Sequence, residues 1–425
     1  MWNWKIILPT TLFCYIIIIW RVLNISMFDE TKARDFYHGD AYSDKNSYST
    51  AIYMNDFGFT KSKLLPVWNY YQKSDSSSAA VYTHYPALPD VLTAVYAKLY
   101  HSTHESVVRI IPVVLSMVFI LILGYVIQLY TQNKTNSSIA LCILLLSNYF
   151  IFWADNLHKH QYEEMLKWLY IGLLYIFYNA PKKQNWLILV LALIFIVVSN
   201  ISFEPIPYLA IVTIGFALIY KKTIFTIETF ALGFSAVIGV ALHLYQNYLF
   251  LGDWVSVIHD MTDAAKLRAG GTDNIQNELG KPLNWLDYVN IPNLILMRLE
   301  RVFLIPGPIF VFLLYLVLNK KNKITPTIKK IIITLLIANL CWPILMTQHF
   351  TVHCFTIRHW GILYGLVIAL SIPEYKSMYT KLKAEKSNWL YLHYAAWVYI
   401  LVMAGTQHFW DYWRYGFSDF TLINS

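Results

Sequence analysis

The sequence predicts an all-α polytopic integral membrane protein. It would have about eleven transmembrane helices and a large first extracytoplasmic loop containing short amphipathic helices. Three observations lead there. Only 14% of the 425 residues are charged and 57% are hydrophobic, whereas soluble domains carry about 25% charged residues. The apolar residues come in runs long enough to cross a bilayer, which the mean hydropathy of +0.44 reflects. The cationic residues, in excess by +8, gather in alternate segments between those runs. Together these features exclude a soluble enzyme, a disordered scaffold and a secreted disulfide module. Positive charge in such a chain belongs to cytoplasmic loops, so no nucleic-acid partner is expected. Cys14, Cys142, Cys341 and Cys354 lie in or beside apolar runs without a paired spacing, which argues against a disulfide framework or a thiolate metal site.

A span needs about 20 mostly apolar residues. The first expected span, Ile6–Met27, is too long for a signal-peptide core and lacks a small-residue cleavage site, so it is expected to remain as an anchor. The next are Val107–Tyr130, Ile139–Trp153, Leu166–Tyr178 and Trp186–Val198. Tyr208–Tyr220, Phe230–Leu249, Val302–Leu318, Ile331–Thr347, Trp360–Ile372 and Trp389–Ala404 follow. Lys134, Lys182–Lys183, Lys221–Lys222, Lys320–Lys321, Lys323, Lys329–Lys330 and Lys376, Lys381, Lys383 and Lys386 fill every second connection. Cationic loops stay in the cytoplasm, which places the N-terminus inside.

The chain then reads as one membrane domain over residues 1–425, with extracytoplasmic segments at 28–105, 154–165, 250–300 and 348–359. The cytoplasmic connections are too short to hold a catalytic domain, so chemistry is expected on the outer face.

The first outer segment runs through Asp29-Glu30, Arg34-Asp35-Phe36-Tyr37-His38-Gly39-Asp40 and Asp44. Ser47–Phe57 is expected to form a helix lying on the membrane, with Tyr48, Ala51, Ile52 and Asn55 on one face. Gly58 should close it. Tyr82-Thr83-His84-Tyr85-Pro86-Ala87-Leu88-Pro89-Asp90 follows, its two prolines enforcing an extended approach to the next element. A partly desolvated carboxylate at a membrane boundary suits a general base. Asp29, Asp40 and Asp44 qualify by position, although solvated loop acids balancing Lys32, Arg34 and Lys45 would look the same.

An acid soon after the first span, a tyrosine four positions on, a Gly-Phe and a Tyr-Pro before the second span make up the motif set. In these features the chain resembles the polytopic glycosyltransferases of the C superfamily, among them the lipid A aminoarabinose transferases, protein O-mannosyltransferases and lipopolysaccharide-core sugar transferases. The resemblance implies a catalytic acid in the first extracytoplasmic loop. Asp44-Lys45-Asn46-Ser47-Tyr48 keeps the family's Asp-to-Tyr spacing, Asp29-Glu30 its acidic pair, and Asp40 is a third option. Asp44 is preferred, with Asp40 next. Tyr85-Pro86-Ala87-Leu88-Pro89 stands where relatives often have Pro-Pro-Leu.

The resemblance further implies a polyprenyl-phosphate sugar donor, a glycan, lipid or protein acceptor, and an inverting displacement. A bacterial inner membrane is the expected setting. A departing phosphate needs cations or donors, and His84, Tyr85, His158, Lys159, His160, Arg268, Arg358 and His359 are the candidates. Glu163 and Glu164 match the location of the family's second acid. A helix cap (Glu163, Glu164) and a snorkelling interfacial arginine (Arg358) are the plain alternatives. Glu204 is a further polar candidate. His349 and His353, at i and i+4, could share a helix face as zinc ligands do, but no third ligand follows at a diagnostic spacing. No metal is assigned, and a divalent cation remains open.

Rival readings are a transporter or flippase, which would place ionisable groups at mid-membrane, and a surface-polysaccharide polymerase or ligase.

Overall fold

The computed structural model describes residues 3–28, 41–71, 78–181, 184–269, 285–399 and 402. Asp29 and Asp40 lie outside the described residues. Helix makes up 78% of the described residues, which settles the all-α class. Among the described residues the strands are one antiparallel pairing, β1 (Val67–Trp68) with β2 (Ala80–Val81).

The order begins with α1 (Trp4–Asn24), α2 (Ala41–Phe57), α3 (Leu88–Leu99), α4 (Glu105–Val108), α5 (Ile110–Thr131), α6 (Lys134–Leu145) and α7 (Asn148–Ile151). It continues with α8 (Lys159–Asn179), α9 (Asn185–Ser199), α10 (Pro205–Lys221), α11 (Ile227–Leu251), α12 (Trp254–Ala269), α13 (Trp285–Val302) and α14 (Gly307–Leu318). Then come α15 (Pro326–Leu345), α16 (Thr347–Val352), a 3₁₀ turn (Cys354–Trp360) and α17 (Gly361–Ala384). A last helix is described over 389–399.

Every expected span has a helix at its position, yet the count of eleven is not reached. Among the described residues five helices are long and apolar enough to cross a membrane, or six if α13 and α14, bent by 99°, form one span. The cause is length. At about 1.5 Å per residue, the 12 residues of α6, 15 of α9 and 17 of α10 fall short of a hydrocarbon core about 30 Å thick. The expected span at Ile139–Trp153 is interrupted at Leu146 and Ser147, before the short α7.

α17 is the central element. From Gly361 to Ala369 it is buried on every side, as expected of a helix apolar all round. It packs on α6, α14 and α5, while α6 also meets α1. Glycine permits the closest approaches: a Cβ on Gly361 would fall 2.4 Å from the Tyr149 ring, and one on Gly365 2.8 Å from Leu144.

The first-loop helix departs from expectation. It begins at Ala41 rather than Ser47, and it packs against α3 and β1 instead of lying on lipid. Its polar residues Asp44, Asn46, Ser47, Ser49 and Thr50 are buried. Ser49 and Thr50 hydroxyls donate to the Val67 carbonyl, which fastens the hairpin to it. Gly58, at φ +86°, ends the helix as anticipated.

Where α10 crosses α15, a Cβ on Gly215 would meet Thr334 Cγ2 at 2.2 Å. Gly215→Ala should therefore cost about 1–3 kcal/mol by overpacking. Gly233→Ala, with open space around it, should cost nothing. Thermal melts of both variants in detergent check this, and equal melting points would contradict the tight crossing.

Candidate functional site

The site is built around the turn between α7 and α8. Asp44 enters it from α2, fully buried at 0% exposure. Its Oδ1 accepts from the Asn156 side-chain amide, the Leu157 backbone N–H at 2.9 Å and the His158 backbone N–H at 3.1 Å. Those amides immediately precede α8, where helix N–H groups lack intrahelical partners. Asp44 Oδ2 has no hydrogen-bond partner among the described residues. Burial pushes the Asp44 carboxyl well above the ordinary carboxylate range, and the charge of Asp155 adds to the rise. The amides and Arg109 offset it only in part.

Asp155 behaves oppositely. Burial alone would raise its carboxyl, but Arg109 and then Arg21 hold it below the ordinary range. Arg21 comes from α1 and reaches both Asp155 oxygens, and Arg109 comes from the junction of α4 and α5 and pairs with Oδ2. Arg21 also donates to the Ile151 carbonyl at 2.7 Å, and Arg109 to the Ile25 carbonyl at 2.9 Å. All three side chains are buried. This triad locks the turn that holds Asp44.

A second cluster lies at the start of α8. Lys159 pairs with Glu204, which stands before α10. Lys167 donates to Glu164 Oε1 at 2.6 Å and lies 2.7 Å from His359 Nδ1. Tyr149 donates to Glu164 Oε2 at 2.8 Å. His359 reaches Glu163 at 3.1 Å through Nδ1 and Glu204 at 3.1 Å through Nε2.

Arg358 is buried over the Trp153 ring, 5.0 Å from its centroid, and donates to the His160 carbonyl at 3.2 Å. Its Nε and Nη1 have no hydrogen-bond partner among the described residues. Glu164 lies 3.9 Å from its Nη2.

Of the residues expected from sequence, Asp44, Tyr85, His158, Lys159, His160, Glu163, Glu164, Arg358 and His359 come together around this one turn. Tyr85 packs edge-on against the His158 ring, with centroids 4.9 Å apart. His84 stands to one side, paired at 2.9 Å with Asp260 of α12. Arg268 belongs to the last turn of α12, with its side chain outside the described atoms. Sequence reasoning passed over Arg21, Asp155, Lys167 and Asp90. Arg21 and Lys167 left a signal, a lone cation inside an expected span, since such residues are rarely tolerated without a buried partner.

Glu163, Glu204 and His359 offer ligand atoms within 4.8 Å of one another, so they could hold a metal ion. His349 joins their edge, 3.7 Å from Glu204, and the expected pairing with His353 is present, the two rings lying 4.6 Å apart. The fit to a divalent ion is poor. Lys159, Lys167 and Arg358 already balance the three glutamates, and Lys159 and Lys167 touch the would-be ligands Glu204 and His359.

No family model and no curated protein matches the sequence. Solved structures do match in shape. The oligosaccharyltransferase of Archaeoglobus fulgidus, in complex with zinc and sulfate, superposes with a TM-score of 0.52 at 14% identity, over 94% of this chain and 53% of that one. The same enzyme tethered to an acceptor peptide gives 0.53 at 14% identity, over 96% and 55%. In complex with an inhibitory peptide and a dolichol-phosphate it gives 0.52 at 14% identity, over 94% and 55%.

The chain spans about half the length of these structures and shares their fold. It is a multi-pass membrane protein. The neighbours are archaeal, so they lend no support to the expected bacterial inner membrane.

Removing Asp155 would strand two buried arginines. Asp155→Ala should destabilise the protein by about 3–5 kcal/mol, read as a lowered Tm in detergent. An unchanged Tm would show that the arginines' carbonyl contacts suffice.

Proposed function

We propose that the chain is an integral-membrane glycosyltransferase that moves a sugar from a polyprenyl-phosphate carrier to a hydroxyl of a glycan, lipid or protein acceptor on the extracytoplasmic face, with inversion. The observation that carries this reading is the state of Asp44: one oxygen pinned by three donors, the other unpartnered, the whole carboxyl buried. A base so placed is oriented, desolvated and ready to accept a proton. The shared GT-C fold supports it, as do the complexes of the archaeal enzyme with a dolichol-phosphate and with an acceptor peptide.

In the proposed step Asp44 Oδ2 takes the acceptor's hydroxyl proton. The acceptor oxygen bonds to the anomeric carbon from one side. On the other side the bond from that carbon to the phosphate oxygen breaks, its electron pair leaving on the phosphate. Arg358, whose Nε and Nη1 are uncommitted, receives that anion, a task suited to a planar guanidinium. The base and the guanidinium are joined through one short stretch of chain, Asp44 on the His158 N–H and Arg358 on the His160 carbonyl. Lys159, Lys167 and His359, each already paired with a glutamate, would stand behind Arg358, and Tyr85 and His158 would line the approach. In this reading segments 28–105 and 154–165 supply the catalytic face, while 250–300 and 348–359 border it.

Removal of a general base costs about 10²–10⁴-fold. Asp44→Asn should lose transfer by that factor and melt no lower than the parent, because the amide relieves a buried charge. The sign follows from the raised carboxyl: the basic form exists only above it, so transfer by the parent should fall on acidification at a pH above the ordinary carboxylate range. Its contribution to stability runs the other way, present at low pH and lost as pH rises through the raised value. Transfer assays and melts across pH check both limbs, and full activity in Asp44→Asn would sink the assignment.

A further inference from the structure

Asp90 sits in the first turn of α3 at 0% exposure, and neither of its carboxylate oxygens has a hydrogen-bond partner among the described residues. A buried carboxylate with nothing to accept from is costly, and such groups persist where a ligand completes them. His158 Nδ1 lies 3.9 Å from one of its oxygens. The same His158 nitrogen lies 3.1 Å from Ser47 Oγ, and the His158 backbone N–H binds Asp44.

Asp44 and Asp90 therefore flank one histidine, and three of their four oxygens are open. Tyr162, one turn further along α8, lies within electrostatic reach of both carboxylates and has a buried hydroxyl without a partner. The open groups on this side of the 158–160 stretch are thus mainly hydrogen-bond acceptors. The Arg358 guanidinium meets the same stretch at the His160 carbonyl.

We infer that Asp90 is a sugar-binding residue, holding the hydroxyl groups of the transferred sugar beside Asp44 while the carrier's phosphate lies toward Arg358. Phosphate is excluded from the Asp90 side by like charge, whereas a polyhydroxylated ring offers the donors that the open oxygens lack. The donor is thereby oriented end to end, and Asp90 contributes to the choice of sugar. This rests on the proposed glycosyltransferase reading and names the substrate contact within it.

The test is equilibrium binding to the full-length protein in detergent. Bare polyprenyl phosphate is compared with polyprenyl-phosphate mannose, glucose and galactose, using the parent, Asp90→Asn, Asp90→Ala and Arg358→Ala. Melts are run first to confirm that each variant is folded. For at least one sugar the parent should bind the sugar-bearing carrier tenfold or more tightly than the bare one. Asp90→Asn should keep its affinity for the bare carrier and lose that tenfold preference, and Arg358→Ala should lose both ligands. Should Asp90→Ala unfold, the isosteric Asp90→Asn alone decides.

Unchanged sugar preference in Asp90→Asn would overturn the inference and leave the glycosyltransferase reading standing. So would titration with Mn²⁺ or Zn²⁺ alone showing a cation site that Asp90→Asn abolishes while sugar preference persists. A parent that binds no carrier lipid at all would overturn the functional reading and, with it, this one.

Discussion

The attachment of Asp44 to the start of α8 is the interaction on which the site depends. It joins a helix of the first loop to a helix of the membrane body across more than a hundred residues of sequence. Three donors converge on one oxygen, so the carboxylate has little rotational freedom and its second oxygen points in a fixed direction. The turn that supplies the donors is itself held by Asp155 between Arg21 and Arg109, which bring in α1 and the start of α5. Positioning of this kind costs nothing at the moment of reaction, because it is fixed when the protein folds.

Charge is sorted on either side of this turn. Asp44 and Asp90 carry buried acceptors without hydrogen-bond partners among the described residues, while Arg358 offers unsatisfied donors near His160. Between and behind them, Lys159, Lys167, Glu163, Glu164, Glu204 and His359 neutralise one another. A sugar phosphate has the complementary layout, hydroxyl donors at one end and an anion at the other. Buried ions without partners would be expensive in a membrane body, and a substrate can satisfy those of Asp44, Asp90 and Arg358.

Much of this was legible in the residues and some was not. The apolar runs gave a helix at each expected place, and Phe57-Gly58 gave the end of the loop helix, because both signals are local. The number of full spans was not legible: α6, α9 and α10 are apolar but too short, and hydropathy alone does not measure length against packing. The start of α2 was missed because its buried face is polar, with Asp44, Ser47 and Ser49 inside, so no hydrophobic period announces it.

Asp155 and Asp90 were invisible for a different reason. Asp155 acquires its meaning from Arg21, 134 residues away, and Asp90 from His158. Only the fold brings those partners together. The clustering of Lys159, Glu163 and Glu164 was visible as a polar stretch, but their mutual neutralisation through Glu204 and Lys167 was not.

The most direct test of the account is a structure of the chain with a polyprenyl-phosphate sugar bound. The account requires phosphate oxygens on the Arg358 guanidinium and the anomeric carbon facing Asp44 Oδ2. A carrier seated with its phosphate among Lys320, Lys321 and Lys323, far from Asp44, would contradict it.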